Sequence, residues 1–225
     1  MTAHQPNYLP WLGLFHKVGA ADVWVVADDV QFPKHGLTNR NRVRTATGWQ
    51  WLTVPVLTRG KGLQTIDQVE IDSASNWREK HLKSLRWNYS KAPYFSHYEE
   101  FLSRYYTTDW RQLLDLNLEF CRFVLGELRI EVELRRTSEF EVREDRTLRL
   151  LDLAIALDCG GYLAGAGSSR QYLDPAAFDQ AGVECRFSGF RHPVYPQCYP
   201  GFEPSMSTLD LLLNCGPASR EVLFG

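Results

Sequence analysis

The first thirty residues contain three segments whose order restricts the fold more than any other feature of the sequence. Residues up to Gln5 have the composition of a short strand, and residues 11–20 place apolar side chains at helical spacing. The segment DVWVVADDV that follows is typical of a buried strand, and it ends in two aspartates. A strand, a helix and a second strand within about thirty residues predict a βαβ unit, and such a unit requires a parallel sheet.

The rest of the chain alternates between strand and helix patterns. A hairpin is predicted around Thr47 and Gly48, and a helical insertion from about residue 77 to about residue 126, broken near Pro93. Further strands are predicted at QTIDQVEID, LRIEVELRRTSEF, YLAG and VECRFSGF, and further helices at RTLRLLDLAIALDCG and STLDLLLNCG. The last helix has Ser207 or Thr208 as its N-cap and Gly216 just past its end. We therefore expect one α/β domain over residues 1–225, with a Rossmann-like three-layer fold, a mostly parallel sheet and a helical insertion.

Charge and cysteine content argue against several classes of protein. A formal net charge of −2 over 225 residues does not indicate a general polyanion binder. No run of about 18 apolar residues is present, so no membrane span is expected. The N-terminal residues lack a signal-peptide pattern, which leads us to expect a cytoplasmic protein. The five cysteines include no CxxC pair, which favours reduced thiols over a disulfide framework or a zinc site.

The motif HQPNYLPWLGLFHK, which begins at residue 4, is the first candidate for a ligand site. It follows the first predicted strand, at the sheet edge where α/β proteins bind ligands, and it precedes a helix N-terminus that suits an anion such as phosphate. The side chains expected to contact a ligand are His4, Gln5, Asn7, Tyr8 and Trp11. Tyr8 and Trp11 have an open alternative, because their rings can also cover the core.

The second candidate follows the second predicted strand. Asp28 and Asp29 come at its carboxyl end, where paired carboxylates can bind Mg²⁺, orient an amine or act as a base. The alternative is that one aspartate caps a turn and the other pairs with an arginine. The segment after them alternates amide and basic side chains, which suits binding of phosphate or carboxylate. Its candidate residues are Lys34, Asn39, Arg40, Asn41 and Arg42.

The third candidate lies in the C-terminal part of the chain. The glycine-rich segment GAGSSRQYL allows close approach of a ligand to the backbone. We expect a catalytic role for His192 and binding roles for Gly165, Ser168, Ser169, Tyr195, Gln197, Ser205, Ser207 and Asp210. Ser207 has the alternative role of a helix N-cap, and Asp210 can simply complement the helix dipole. No nucleophile-elbow pattern supports a serine hydrolase.

Several segments together resemble the WbqC-like protein family. They are the opening HQPNYLPWLGLFHKVGAADVWVVADDVQFPKHGLTNRNRV and, further along, WLTVPV, YLAGAGSSRQYL, HPVYPQ and STLDLLLNCG. The resemblance runs from residue 4 to the C-terminus and implies a bacterial protein associated with O-antigen and other surface-polysaccharide biosynthesis. Only three residues precede the His-Gln-Pro motif, fewer than the family usually has, so either the first strand is short or the start codon is misplaced.

The opening and the segment SMSTLDLLLN are also similar, more loosely, to nucleotidyltransferases and adenylate-forming synthetases with paired-histidine loops. The second histidine of such loops has no counterpart here unless His16 substitutes for it. This resemblance implies a phosphoanhydride site whose charge is stabilised by His4, Arg40, Arg42 and helix N-termini.

The function hypothesis is a transferase that uses a nucleotide- or pyrophosphate-activated substrate. Asp28 or Asp29 would orient or deprotonate an amine of an amino acid or amino sugar, with no certain cofactor and Mg²⁺ left open. We expect a phosphorylated small molecule as the partner, and a homodimer stays open. The alternatives are a non-catalytic sugar-nucleotide-binding protein and a nucleic-acid-modifying amino-acid transferase. The latter would use the basic, aromatic segment WREKHLKSLRWNYSKAPYF, for which a packing helix is the favoured interpretation.

Overall fold

The structure, a computed structural model, describes residues 1–167 and 169–225. The strands, in chain order, are β1 (Thr2–His4), β2 (Val23–Val26), β3 (Arg40–Thr45), β4 (Gly48–Thr53), β5 (Glu133–Arg136), β6 (Gly161–Ala164) and β7 (Glu184–Phe187). The α-helices are α1 (Leu12–Val18), α2 (Trp77–Tyr89), α3 (Phe95–Thr107), α4 (Leu113–Glu127), α5 (Arg146–Ala156), α6 (Ser169–Tyr172), α7 (Pro175–Gln180), α8 (Thr208–Cys215) and α9 (Ser219–Phe224).

These elements belong to two compact units. Unit 1 consists of Met1–Gln5, Gly13–Asp29 and Ile130–Arg191. Unit 2 consists of Pro6–Leu12, Val30–Arg129 and His192–Gly225. Each unit is therefore built from segments that are distant in the sequence.

Parallel strands form the centre of unit 1. β1 pairs with β2, and β2 pairs with β5, so that the sheet order is β1-β2-β5. β6 and β7 form a second parallel pair. Hydrogen bonds connect the two groups of strands: Leu163 N donates to Met1 O at 2.9 Å, and Thr2 Oγ1 donates to Leu163 O at 2.7 Å. β6 therefore runs beside β1.

The apolar core of unit 1 covers one face of these strands. Alternate residues of β1 and β2, such as Ala3 and Val25, pack with Leu153 of α5 and Phe178 of α7. The amphipathic sequence of α5 explains its position, because its apolar side chains lie at helical spacing and its N-cap Asp145 accepts hydrogen bonds from the first turn. The α5 helix was predicted from the sequence, and the structure confirms it.

Unit 2 combines the β3–β4 hairpin with helices. The two strands are antiparallel, with Arg42 opposite Trp51 and Thr45 opposite Gly48. Gly48 has a φ of 133°, a conformation that glycine adopts without a steric penalty. The helices of this unit are α2, α3, α4, α8 and α9, and α8 begins at the N-cap Ser207, whose side chain accepts a hydrogen bond from Leu209 N.

The sequence predicted most of these elements correctly. The βαβ unit, the hairpin, the helical insertion with its break near Pro93 and the capped helix α8 are confirmed, and the molecule is of mixed helix and strand with a small parallel sheet. The second break in the insertion, between α3 and α4, was not predicted. The three-layer Rossmann-like arrangement and the single domain over residues 1–225 stay predictions. None of the helices in the described part of the chain is long and apolar enough to cross a membrane.

One predicted strand is wrong. The segment QTIDQVEID contains a short 3₁₀ helix, Ile66–Gln68, followed by single bridges from Glu70 to Gln112 and from Val56 to Ile71. Ile66 and Val69 are both fully buried. Their spacing of three residues suits one turn of a helix, whereas a strand would bury every second residue.

Candidate functional site

Several predicted site residues lie at the carboxyl edge of the sheet in unit 1. His4 is the last residue of β1, and Asp28 and Asp29 follow β2. Ala27 N donates to His4 O at 2.9 Å, which holds these two strand ends side by side. Gly165 directly follows β6, and Ser169 begins α6. Ser168, also a predicted binding residue, lies outside the described residues.

His4 is held in one tautomer. Its Nδ1 lies 2.9 Å from Gln5 O, and because a carbonyl oxygen only accepts hydrogen bonds, Nδ1 carries the proton. Nε2 is then unprotonated and can accept a hydrogen bond. Burial, reinforced by the nearby positive charge of Lys17, lowers the pKa of His4 to about 3, although its hydrogen bond to Gln5 O opposes this shift. His4 is therefore a neutral side chain at physiological pH.

Lys17 is a site residue that the sequence analysis missed. It is only 3% exposed, and its Nζ donates to Ala3 O at 2.9 Å. Burial lowers its pKa to about 7, so both protonation states are accessible near neutral pH. The single lysine in the last turn of α1, LGLFHKV, was the available signal.

The position of the Lys17 amine follows from the alternation of carbonyl groups along β1. His4 O accepts from Ala27 N, beside β2, whereas Met1 O accepts from Leu163 N of β6. Carbonyls two residues apart on a strand point to the same edge, so Ala3 O points to the β6 side, as Met1 O does. Lys17 Nζ occupies that position, at the carboxyl end of the seam between β1 and β6.

Asp28 is enclosed by donors. Its carboxylate is fully buried and accepts from Ser138 N at 3.1 Å, Ser138 Oγ at 2.8 Å and Thr137 Oγ1 at 3.0 Å. Arg136 Nε lies 3.0 Å from its other side. A carboxylate surrounded in this way holds the turn after β5 in place, so the geometry favours a structural role for Asp28.

Asp29 is more open. Its side chain is 30% exposed and contacts Thr137 Oγ1 and the guanidinium of Arg149 on α5. The alternative considered above, in which an aspartate pairs with an arginine, describes both residues. Asp29 nevertheless keeps a solvent-facing side, and it is the better placed of the two carboxylates to meet a ligand.

In unit 2, the predicted loop residues Asn7 and Tyr8 are buried. Tyr8 is inaccessible to solvent, and its hydroxyl contacts Tyr106 Oη at 2.6 Å and His81 Nδ1 at 3.0 Å. The ring of Tyr8 is thus part of the core and not a stacking surface for a ligand. Trp11, half-buried, forms a backbone bridge with Ser207.

The predicted Asn-Arg-Asn-Arg segment separates into two functions. Asn39 Nδ2 donates to Val54 O at 2.9 Å, and Asn41 Nδ2 donates to Leu9 O at 2.7 Å, so the asparagines hold the backbone.

Arg40 and Arg42 point to the other face of the hairpin, where their guanidinium groups lie over the rings of Trp51 and Trp49. The exposed Trp49 and Trp51 were also missed, although the WQW pattern opposite NRNR in the predicted hairpin was the signal. Lys34 is exposed in the preceding turn.

Asp210 is a buried carboxylate in unit 2 that accepts hydrogen bonds from three side chains. Its carboxylate accepts from Tyr89 Oη at 2.9 Å, Tyr195 Oη at 2.8 Å and Gln197 Nε2 at 2.8 Å. Burial raises the pKa of Asp210, and these hydrogen bonds, with the charge of Arg44, oppose the shift. The predicted binding residues Tyr195, Gln197 and Asp210 are therefore brought together, but they face one another.

His192 is braced by the backbone. Its Nε2 accepts from Ser205 N at 3.0 Å, and its Nδ1 donates to Pro193 O at 2.8 Å. Both ring nitrogens are thus used within the loop, which favours a structural role over proton transfer. Ser207 is the fully buried N-cap of α8, as one of its two predicted roles requires.

No group of three or more histidine, cysteine, aspartate or glutamate side chains that could hold a metal ion occurs in the described part of the chain. Asp28 and Asp29, the carboxylates considered for Mg²⁺, are each paired with an arginine. A magnesium ion at this edge would therefore depend on ligands from a substrate, such as phosphate oxygens.

Comparisons with known proteins agree with one another over nearly the whole chain. A model of the WbqC-like protein family matches residues 5–222. An uncharacterized protein of Mycobacterium tuberculosis is 33% identical to the chain over 223 residues, which is 97% of this chain and 95% of that protein. No solved structure matches the chain significantly.

Proposed function

The chain belongs to the WbqC-like protein family, and from that premise we propose that it is a transferase acting on a nucleotide- or pyrophosphate-activated substrate and an amine. The proposed site is the carboxyl edge of the sheet in unit 1. Its working residues are His4, Lys17 and Asp29. The observation that carries the proposal is a pair of bases with lowered pKa values, His4 and Lys17, at the end of the seam between β1 and β6.

The connections of the strands support this location. From β1 the chain passes through α1 to β2 on one side, whereas β6 lies along the other edge of β1 and follows α5. In open parallel sheets, ligands bind beyond the carboxyl ends of the strands at the point where the strand order reverses. In the proposed Rossmann-like arrangement, that point is the seam between β1 and β6. Gly165, which directly follows β6, lies at this end of the strands.

A phosphorylated substrate would change the charge of the two bases. A nearby anion favours the protonated form of each base, so phosphate raises the pKa of Lys17 from about 7 and that of His4 from about 3. Lys17 then faces the departing phosphate as an ammonium ion. The cost of its burial is offset only when the anion is bound, which makes the site selective for charged ligands.

The proposed reaction is the attack of an amine on the activated centre of the donor. The nitrogen lone pair forms the new bond, the bond from that centre to the phosphate oxygen breaks, and its electron pair leaves with phosphate or pyrophosphate. Asp29 takes the proton from the amine, and His4 Nε2 accepts a hydrogen bond that orients it. The resemblance described above, with its link to surface polysaccharides, favours an amino sugar or an amino acid as the amine.

A non-catalytic sugar-nucleotide-binding protein is the second candidate function. The pairing of both aspartates with arginines favours it, because such carboxylates are weaker bases. This protein would bind the donor and leave it unchanged. Release of phosphate or pyrophosphate from ATP, or of UDP from a UDP-amino sugar, in the presence of an amino acid separates the two candidates.

The binding site is tested by calorimetric titration of the protein with pyrophosphate, ATP and a UDP-amino sugar, each with and without Mg²⁺. We expect at least one ligand to bind with uptake of up to about one proton at pH 7.5, because Lys17 gains a proton. Proton uptake is measured by repeating the titration in buffers with different ionisation enthalpies. Lys17→Met should weaken binding at least about tenfold and remove the proton uptake.

Lys83→Met, at an exposed position on α2, is the matched control and should bind like the wild type. Equal affinity of the Lys17→Met variant for every ligand would refute the proposed site. Binding without proton uptake would show that the anion lies away from Lys17.

A further inference from the structure

One face of the β3–β4 hairpin carries a row of arginine and tryptophan side chains. Side chains alternate along a strand, so Arg40 and Arg42 share a face, and the register places Trp51 opposite Arg42. Trp49, two residues from Trp51, lies on this face as well. We call Arg40, Arg42, Trp49 and Trp51 the arginine–tryptophan face. It lies within unit 2 and plays no part in the function proposed above.

The two tryptophan rings are unusually open to solvent. Trp49 is 43% exposed and Trp51 is 40% exposed, and their ring centroids are 5.6 Å apart with the ring planes nearly perpendicular. Two adjacent exposed indoles form an apolar surface that a folded chain normally covers. This surface is available to a planar ligand.

The arginines are held against these rings. The guanidinium carbon of Arg40 lies 4.6 Å from the ring centroid of Trp51, and that of Arg42 lies 5.0 Å from the ring centroid of Trp49. Stacking of this kind fixes the planar guanidinium group against the ring. The face is thus ordered before any ligand arrives, which lowers the entropic cost of binding.

The positive charges on this face are not neutralised by acidic side chains. Among the described residues, the ion pairs involve neither Arg40 nor Arg42. The two guanidinium groups donate to backbone carbonyls instead, Arg40 to His35 O at 2.9 Å and Arg42 to Ser205 O at 3.2 Å. Two ordered cations without a carboxylate partner form a site for anions.

Arg44, next on the same side of β3, shows the contrast. It is only 3% exposed, and its guanidinium donates to Thr45 O, Gly48 O and Pro200 O. Its role is to hold the hairpin turn. The functional part of the row is therefore confined to the four exposed or half-exposed side chains.

From this geometry we infer that the arginine–tryptophan face binds single-stranded nucleic acid. Bases stack on the open rings of Trp49 and Trp51, and backbone phosphates pair with Arg40 and Arg42. A single strand fits because its base faces are accessible, whereas a duplex hides them. A strand repeats base and phosphate along its length, as the hairpin repeats ring and cation along β3 and β4.

Fluorescence anisotropy with labelled oligo(dT) and oligo(U) tests the inference without requiring any catalysis. We expect Trp51→Ala to weaken binding by roughly 5- to 150-fold and Trp51→Phe to restore most of it, because stacking needs an aromatic ring. Arg42→Ala should weaken binding and make the dependence of log affinity on log salt less steep by about 0.7, the value for one phosphate contact on a single strand.

Phe224→Ala is the matched control, since Phe224 is 36% exposed on α9 and also has an arginine guanidinium, that of Arg220, over its ring. It should bind like the wild type. The inference is overturned if Trp51→Ala binds the labelled strands as tightly as the wild type does, or if a duplex of the same length binds as tightly as a single strand. Failure of this assay leaves the calorimetric test of the unit 1 site unaffected, because that test uses small phosphates.

Discussion

At the scale of single residues, the buried base Lys17 is the clearest sign that unit 1 is built for more than stability. An ammonium group in an apolar helix costs free energy that a methionine of similar length would not. The chain retains this lysine beside the neutral His4, with its pKa lowered to about 7. Strongly shifted bases at a sheet edge are typical of functional sites.

Replacing Lys17 should therefore stabilise the protein. We expect Lys17→Met to raise the free energy of unfolding at pH 7 by roughly 1–4 kcal/mol, because it removes a buried charge and keeps the packing. In the wild type, Lys17 loses its proton near pH 7 in the folded state and near pH 10.5 in the unfolded state. The contribution of Lys17 to the free energy of unfolding should therefore rise with pH between these values. Urea unfolding at pH 7, 8 and 9 measures both effects.

The Lys83→Met variant again provides the comparison, because Lys83 is exposed. It should keep the stability and the pH dependence of the wild type. A Lys17→Met protein that is less stable than the wild type at pH 7 would mean that the ammonium group contributes a net favourable interaction.

At the scale of elements, the segment NRNR, which begins one residue before β3, places amide side chains on one face and guanidinium groups on the other. Its asparagines face inward and hold backbone carbonyls, whereas Arg40 and Arg42 face outward. Asn41 has a particular task, since it donates to the carbonyl of Leu9, a non-glycine residue with a φ of 43°. That left-handed conformation is unfavourable for leucine and needs support from its surroundings.

Asn41→Ala should thus destabilise the protein by about 1–3 kcal/mol, the cost of leaving a buried carbonyl without its donor. Asn39→Ala, at the residue that precedes β3, is the control. Asn39 is half-buried and also donates to a carbonyl, so water can replace it and the loss should be smaller. Chemical denaturation compares the two variants, and equal losses would contradict the role assigned to Asn41.

At the scale of the whole molecule, buried neutral histidines couple stability to pH. The pKa of His4 is lowered to about 3 and that of His81 to about 4, in both cases mainly by burial. Both histidines titrate near pH 6.5 in the unfolded chain, so the unfolded state binds protons first as the pH falls. The folded state is then progressively disfavoured between pH 6.5 and the folded-state values.

The free energy of unfolding should fall below pH 6.5 by up to about 1.4 kcal/mol per pH unit for each histidine. In the variants His4→Gln and His81→Gln, the free energy of unfolding should fall less steeply with decreasing pH, because each variant lacks one of the two histidines. His35→Gln, at an exposed position, should keep the full slope. Urea unfolding midpoints measured from pH 4 to pH 8 provide the test, and parallel curves for all four proteins would show that these histidines do not titrate as described.

Local sequence patterns were enough to predict most of the secondary structure and the family. The βαβ unit, the hairpin at Gly48, the helical insertion and an α8 cap at Ser207 or Thr208 all follow from periodicity, turn chemistry and capping, which act over a few neighbouring residues. The resemblance to the WbqC-like protein family was likewise carried by short motifs in a fixed order. Where two local patterns competed, as around Ile66, the prediction of a strand was wrong.

Which polar side chains are buried became clear only from the folded chain. Asn41 and Arg42 are neighbours in one motif, yet one is buried against Leu9 and the other stacks on an exposed ring. Tyr8 proved to be core, His192 is braced by its loop, and Lys17 lies at a sheet edge. The physical reason is that burial depends on partners distant in the sequence, such as Tyr106 for Tyr8 and Ser205 for His192, and no local pattern records them.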